Sequence, residues 1–135
     1  MERILEPKGI VKCDNNGLSY AGVHLLVEFY GAKNLDDLEL VEETFQEAVT
    51  ACGATLLGMK FHHFSPYGGI SGVAIVMESH LTIHSWPELG YAAIDIFLCG
   101  GLDAYKAIPV LKKAFQPERV QIIELKRGMM TNEMV

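Results

Sequence analysis

The sequence predicts an α+β fold: a two-layer sandwich with a mainly antiparallel sheet, helices on one face, and dimerisation through the sheet side. Three observations predict it. The order of elements is strand, helix, three or four strands, helix, strand. Consecutive extended segments are joined by short glycine-bearing turns, which favours antiparallel neighbours, and two helices suffice to cover one face. The strands are apolar on both parities: Ala74 and Val76 alternate with Val73, Ile75 and Met77. A sheet with helices on one side therefore keeps a second apolar face, and a second copy is the simplest cover.

Each element follows from local pattern. Residues 1–17 are polar and turn-rich and end in "DNNG", so 1–19 reads as a loose N-terminal arm and 20–135 as a single domain. "YAGVHLLVEFYG" (20–31) is β-branched and aromatic, a strand. "DDLELVEETFQEAVTACG" (36–53) is the clearest helix, with Leu38, Val41, Phe45, Ala48, Val49 and Cys52 on one stripe and an acidic opposite face. Asp36 and Asp37 suit its start, and Gly53 its end. "ATLLGMKFHHFSP" (54–66) is a strand, and "YGGISG" (67–72) a turn with three glycines. "VAIVMES" (73–79) is a strand, and "HLTIHSWP" continues extended to Pro87. "LGYAAIDIFLCGG" (89–101) is a strand closed by two glycines. "DAYKAIPVLKKAF" (103–115) is a second helix, with Asp103 as cap and Pro109 as its one blemish. "ERVQIIELKRG" (118–128) is the final strand, and the tail frays.

The bulk numbers bound the function. A chain of 135 residues is one domain's worth, and 50% apolar with 21% charged is a compact globular composition. A net charge of −6 argues against nucleic acid, which needs clustered Lys and Arg. Cys13, Cys52 and Cys99 make an odd count with no CxxC, which argues against a disulfide framework and for a reducing compartment. The start has no apolar core of signal-peptide length, and no run reaches the ~18 apolar residues of a membrane span. The expectation is a cytoplasmic protein.

The chemistry concentrates in "MESHLTIHSW" (77–86). His80 and His84 form HxxxH, and His62 and His63 are also present. On a strand, however, the Cα atoms of an HxxxH pair stand ~13 Å apart, too far for two ligands of one ion at ~2.1 Å. No metal is expected. Ser79, His84 and Asp95 supply the residue types of a hydrolase triad, but the G-x-S-x-G elbow is missing. The ordinary alternative is a serine at a strand kink and histidines satisfied in a core.

A third chemistry fits the context better. In a strained turn, Ser79 Oγ can attack the carbonyl carbon of Glu78, an N-to-O acyl shift. The ester can then eliminate across Ser79, and the resulting dehydroalanine hydrolyses to a pyruvoyl group. The chain is cut into 1–78 and 79–135. The new ketone forms a Schiff base with a substrate amine and draws electrons as CO2 leaves. The shift and elimination need a hydroxyl donor and a base, and Ser71 and His84 are available. The later carbanion needs a proton donor. Cys99, in "FLCGG", is a credible acid with a thiol of reference pKa ~8.5, although an isolated cysteine is more often a small buried apolar residue.

"ESHLTIHSWPE" followed by "GYAAIDIFLCG" closely resembles the prokaryotic S-adenosylmethionine decarboxylase proenzymes, the short self-processing type. "FHHFSPYGGISGVAIVMES" and "ERVQIIELKRG" fit the same family, and the likeness covers about residues 20–128. The resemblance implies that Ser79 is the pyruvoyl precursor, with cleavage after Glu78. It implies that Ser71 assists the acyl shift, that His84 is the processing histidine, and that Cys99 is the proton donor, also linked to processing. Phe64 and Trp86 stand where family aromatics hold adenine, and Glu88 where a carboxylate binds the ribose hydroxyls. Physical sense supports each: aromatic faces cover a flat base and attract a sulfonium cation, and a carboxylate accepts two hydroxyl hydrogen bonds. Read alone, Phe64 and Trp86 are more often core residues. Ser85 stands where threonine is commoner, a change that keeps the hydroxyl.

The family fold is a two-layer α+β sandwich whose short members pair as homodimers with active sites near the interface. The implied activity is decarboxylation of S-adenosylmethionine, giving the aminopropyl donor for spermidine synthesis, with the covalent pyruvoyl group as the one cofactor. Two rivals remain: a pyruvoyl-dependent arginine or ornithine decarboxylase on the same fold, and an unprocessed, non-catalytic partner subunit.

Overall fold

The structure, a computed structural model, describes residues 12–13, 18–64, 66 and 68–131. Its main sheet has six strands in the order β4-β5-β6-β7-β3-β8. These are β3 (Gly22–Tyr30), β4 (Leu56–His63), β5 (Ile70–Val76), β6 (Ser79–Trp86), β7 (Tyr91–Cys99) and β8 (Arg119–Arg127), and every neighbouring pair is antiparallel. Helices α1 (Leu38–Ala51) and α2 (Ala107–Phe115) carry the chain from β3 to β4 and from β7 to β8. The α+β sandwich read from the sequence is the fold observed.

Alternation along the strands decides which face is covered. Leu25, Val27 and Phe29 of β3, Leu81 and Ile83 of β6, and Ile94, Ile96 and Leu98 of β7 are buried. They meet Val41, Phe45 and Ala48 of α1 and Leu111 and Phe115 of α2 in one core. Each such side chain contributes roughly 1.5–3 kcal/mol by leaving water. Gly72 permits one close approach: a Cβ there would stand 1.8 Å from the ring of Phe61, which instead packs edge-on against Phe45. The other sheet face carries Ile75, Trp86, Ile123 and Leu125, all at least 40% exposed. The uncovered apolar face expected from the two parities is present.

Helix α1 matches its spacing. The Asp37 carboxylate caps it by accepting from Leu40 N–H at 3.1 Å, and Gly53 follows its end at φ +76°. Asp103 caps a 3-10 turn (Ala104–Lys106) leading into α2. Pro109 is the third residue of α2, where the N–H has no intrahelical acceptor, so proline is no blemish there.

Three readings change. "VAIVMESHLTIHSWP" is two strands, broken at Met77–Glu78 into a tight hairpin in which Val76 pairs with Ser79. Ser71 and Gly72 lie within β5 and not in a turn. The N-terminal segment is not simply a loose arm: β1 (Lys12–Cys13) and β2 (Leu18–Tyr20) join β9 (Met130–Thr131), from the expected fraying tail, in a small second sheet. Residues 1–11 and 14–17 of the arm lie outside the described residues. Among the described residues, no helix is long and apolar enough to cross a membrane.

Candidate active site

The hairpin turn is the point of strain. Ser79 opens β6 with φ +141°, a region that L-residues other than glycine rarely enter. The turn is pinned from two sides. Met77 N–H donates to Thr55 carbonyl oxygen at 2.9 Å, while the Glu78 carboxylate accepts from Thr55 N–H at 2.9 Å and from its hydroxyl at 3.3 Å. From the neighbouring strand, Cys99 N–H donates to the Glu78 carbonyl oxygen at 3.0 Å. The peptide joining residues 78 and 79 is thus anchored while its serine is twisted out of the ordinary strand conformation.

Gly22 lets β7 present that N–H. It pairs with Cys99, and a Cβ at Gly22 would lie 2.4 Å from the Leu98 carbonyl oxygen and 2.7 Å from Cys99 Cα. The Cys99 thiol is half-buried, and its pKa is raised by burial and, to a lesser degree, by the Glu78 carboxylate, against its own backbone hydrogen bond. It therefore keeps its proton at neutral pH.

Ser71 and His84 sit opposite each other on β5 and β6, with Ser71 Oγ 2.8 Å from His84 Nδ1. Within one chain this pair does not reach Ser79. Five residues of strand at about 3.3 Å each place His84 roughly 16 Å along β6. The Ser79–His84–Asp95 triad does not assemble either, since Asp95 is 3.0 Å from His24 Nε2 and accepts from Thr82 Oγ1 at 3.1 Å. The imidazole at Ser79 is His80, with Nδ1 3.2 Å from Ser79 Oγ. Sequence reasoning missed His80 in this role and missed Thr55. Adjacency to the serine was the available signal for His80. Nothing local marked Thr55, which meets Glu78 only through the fold.

The proposed ligand residues gather at the far end of β6. Trp86 is 40% exposed and stacks on Tyr91 at 5.1 Å, which stacks on Tyr30 at 5.5 Å. Tyr91 donates to the Glu28 carboxylate, and that hydrogen bond pushes its pKa up to about 12. Phe64, 49% exposed, follows β4 and packs edge-on against His62 at 4.3 Å. Gly69 accepts from Phe64 N–H at 2.7 Å, and a Cβ at Gly69 would stand 2.8 Å from the Ser85 carbonyl oxygen. Strands β4 and β6, which lead to Phe64 and to Trp86, stand two strand spacings, roughly 10 Å, apart. Glu88 is exposed in the 3-10 turn Pro87–Leu89 just beyond Trp86. Ser85 donates to Leu35 carbonyl oxygen at 2.9 Å and accepts from Ile70 N–H at 3.0 Å, so the serine hydroxyl meets both local demands. Among the described residues, no cluster of three or more His, Cys, Asp or Glu side chains could hold a metal ion.

The family model for S-adenosylmethionine decarboxylase matches residues 23–128. The chain is 47% identical over 112 residues to the S-adenosylmethionine decarboxylase proenzyme of Thermomicrobium roseum, spanning 82% of this chain and 97% of that one. It is 49% identical over 110 residues to the proenzyme of the same name from Thermotoga maritima, spanning 79% and 84%. The crystal structure of the adenosylmethionine decarboxylase from Aquifex aeolicus superposes with a TM-score of 0.73 at 28% identity, covering 93% of this chain and 97% of that one.

Proposed function

The chain belongs to the S-adenosylmethionine decarboxylase family, and from that premise we propose how its residues make and use the catalytic group. The activity is decarboxylation of S-adenosylmethionine, a reaction that serves polyamine synthesis. The proenzyme cuts itself between Glu78 and Ser79, and Ser79 becomes a pyruvoyl group. One observation carries this reading: the strained φ of +141° at Ser79 beside a Glu78 carbonyl already held by Cys99 N–H. That N–H lies where an oxyanion would form, so it lowers the barrier to attack on this carbonyl rather than on its neighbours. The residues present fit the group. Once made, a pyruvoyl ketone binds the substrate amine and acts as the electron sink when CO2 departs.

The remaining roles require two copies. Ser71 and His84 lie roughly 16 Å from Ser79 along one strand, and Trp86, seven residues on, lies roughly 23 Å away. That is too far for one nucleoside substrate to span within a chain. Two copies packed by their open faces, with strands running oppositely, bring the Ser71–His84–Trp86 end of one over the Ser79–Cys99 end of the other. The exposed Ile75, Ile123 and Leu125 provide apolar surface for that contact. His84 of the partner subunit then removes the Cα proton in the elimination, while Ser71 of the partner subunit donates to the oxyanion. Phe64 and Trp86 sandwich adenine, Glu88 accepts from the ribose hydroxyls, and Cys99 returns a proton to the substrate carbon after CO2 leaves.

Labelled CO2 release from S-adenosylmethionine, arginine and ornithine, each labelled in the carboxyl group, tests the substrate. Release from the nucleoside alone is expected. Release from arginine or ornithine alone would refute the aromatic and carboxylate assignments.

A further inference from the structure

We propose that His80 is the base that takes the hydroxyl proton of Ser79 in the acyl shift, a step that rests on the self-cleavage reading above. Two protons must move before the chain is cut: one from Ser79 Oγ, the other from Ser79 Cα. Different atoms in different directions call for different bases. His84 hydrogen-bonds Ser71 at 2.8 Å, far along the strand. His80 is within hydrogen-bond distance of the attacking oxygen itself, Nδ1 to Oγ at 3.2 Å.

The surroundings hold His80 ready. Its ring packs edge-on against Phe97 at 5.8 Å and against His24 at 6.1 Å, which fixes its plane. Burial, the His24 ring and Arg127 lower its pKa, and the Asp95 carboxylate opposes them. These facing groups come from β3, β7 and β8; Thr82 and His84 are the polar side chains on its own face of β6. The net effect favours the neutral ring at neutral pH, and the tautomer that carries its proton on Nε2 turns the Nδ1 lone pair to the Ser79 hydroxyl. Asp95 is itself engaged by His24 at 3.0 Å and Thr82 at 3.1 Å, so it does not draw His80 into an ion pair.

The step balances without another reactant. The Oγ proton passes to Nδ1, and the freed oxygen pair forms a bond to the Glu78 carbonyl carbon. The carbonyl π pair moves onto oxygen, where Cys99 N–H donates. On collapse the C–N bond breaks, and His80 hands the proton to the departing Ser79 nitrogen. The product is an ester with a free amine, and His80 is neutral again.

The test uses freshly translated full-length chain, followed by intact mass with and without hydroxylamine, which cleaves an ester at residue 78 but spares the amide. His80→Ala and His80→Asn are compared with wild type. Asn keeps a hydrogen-bond acceptor but cannot carry the proton. Both variants should form the labile ester at least about 100-fold more slowly. Their thermal unfolding should stay close to wild type, and added imidazole should restore His80→Ala increasingly as pH rises. Wild-type ester formation should climb with pH through one ionisation below the ordinary histidine value, and that ionisation should vanish in both variants. Ester formation at the wild-type rate in His80→Asn overturns the assignment and leaves self-cleavage standing. A wild-type chain that never cleaves overturns the reading beneath it, and the role of His80 with it.

Discussion

The backbone N–H of Cys99 donates a 3.0 Å hydrogen bond to the carbonyl oxygen of Glu78, so β7 reaches across to the peptide bond proposed for self-cleavage. One residue therefore has two separable contributions. The N–H belongs to the backbone and survives any substitution but proline, whereas the thiol belongs to the side chain.

Cys99→Ala should accordingly still cleave, within about tenfold of wild type, while decarboxylation falls by about 100-fold or more through loss of the proton donor. Chain cleavage is read by mass, turnover by CO2 release. In the wild type the thiol pKa is raised, chiefly by burial, so the donor is protonated at neutral pH and is lost only as pH climbs through that raised value. The kcat profile should fall on its alkaline side above an ordinary thiol's pKa. An unchanged alkaline limb in Cys99→Ala would remove the thiol from the reaction.

Gly22→Ala tests the support behind that N–H. The new Cβ would stand 2.4 Å from a backbone oxygen, which cannot swing aside as a side chain can. A loss of about 1–3 kcal/mol in stability is expected, with slower self-cleavage because β7 shifts away from the turn. Thermal unfolding and cleavage time courses measure the two effects. Wild-type values in both would show that the approach of β3 to β7 is not needed.

Thr55→Val removes one of the contacts on Glu78. The valine loses the 3.3 Å hydroxyl contact but keeps the 2.9 Å bond from the backbone N–H. A single exposed hydrogen bond is worth about 0.5–1.5 kcal/mol, which predicts cleavage slowed by roughly two- to tenfold and not abolished.

A mixed dimer tests the shared site. Ser79→Ala cannot cleave its own chain but carries His84; His84→Ala carries Ser79 but lacks the histidine. Each alone should yield no pyruvoyl chain. Co-expressed, they should produce cleavage of the His84→Ala chain alone, as the proposed action of His84 from the partner subunit requires. Two chains that both stay intact would place His84 elsewhere in the scheme.

Much of the architecture was legible because it is written in local periodicity. The α1 stripe of Val41, Phe45, Ala48 and Val49 is buried as its spacing demands. The parity of Ala74 and Val76 against Ile75 likewise separates a covered face from an open one. The break at Met77–Glu78 was not legible. Hairpin turns are usually announced by glycine or asparagine at positive φ, and here the positive φ falls on Ser79, a residue that rarely adopts it. With no glycine or asparagine at Met77–Glu78, β5 and β6 read as one extended run. The motif named candidate site residues, but their placement on the strands was not legible. Adjacency in sequence brought Ser79 and His84 together, and strand geometry sets them apart. Thr55 reaches Glu78 through the strand order, information that no local window holds.

Intact-mass analysis of purified protein, with borohydride or hydrazine trapping, tests the central claim most directly. The account predicts two chains, 1–78 and 79–135, the second beginning with a trappable ketone, and a Ser79→Ala protein that stays whole. A folded wild-type chain that remains a single polypeptide of 135 residues with no carbonyl to trap would contradict it.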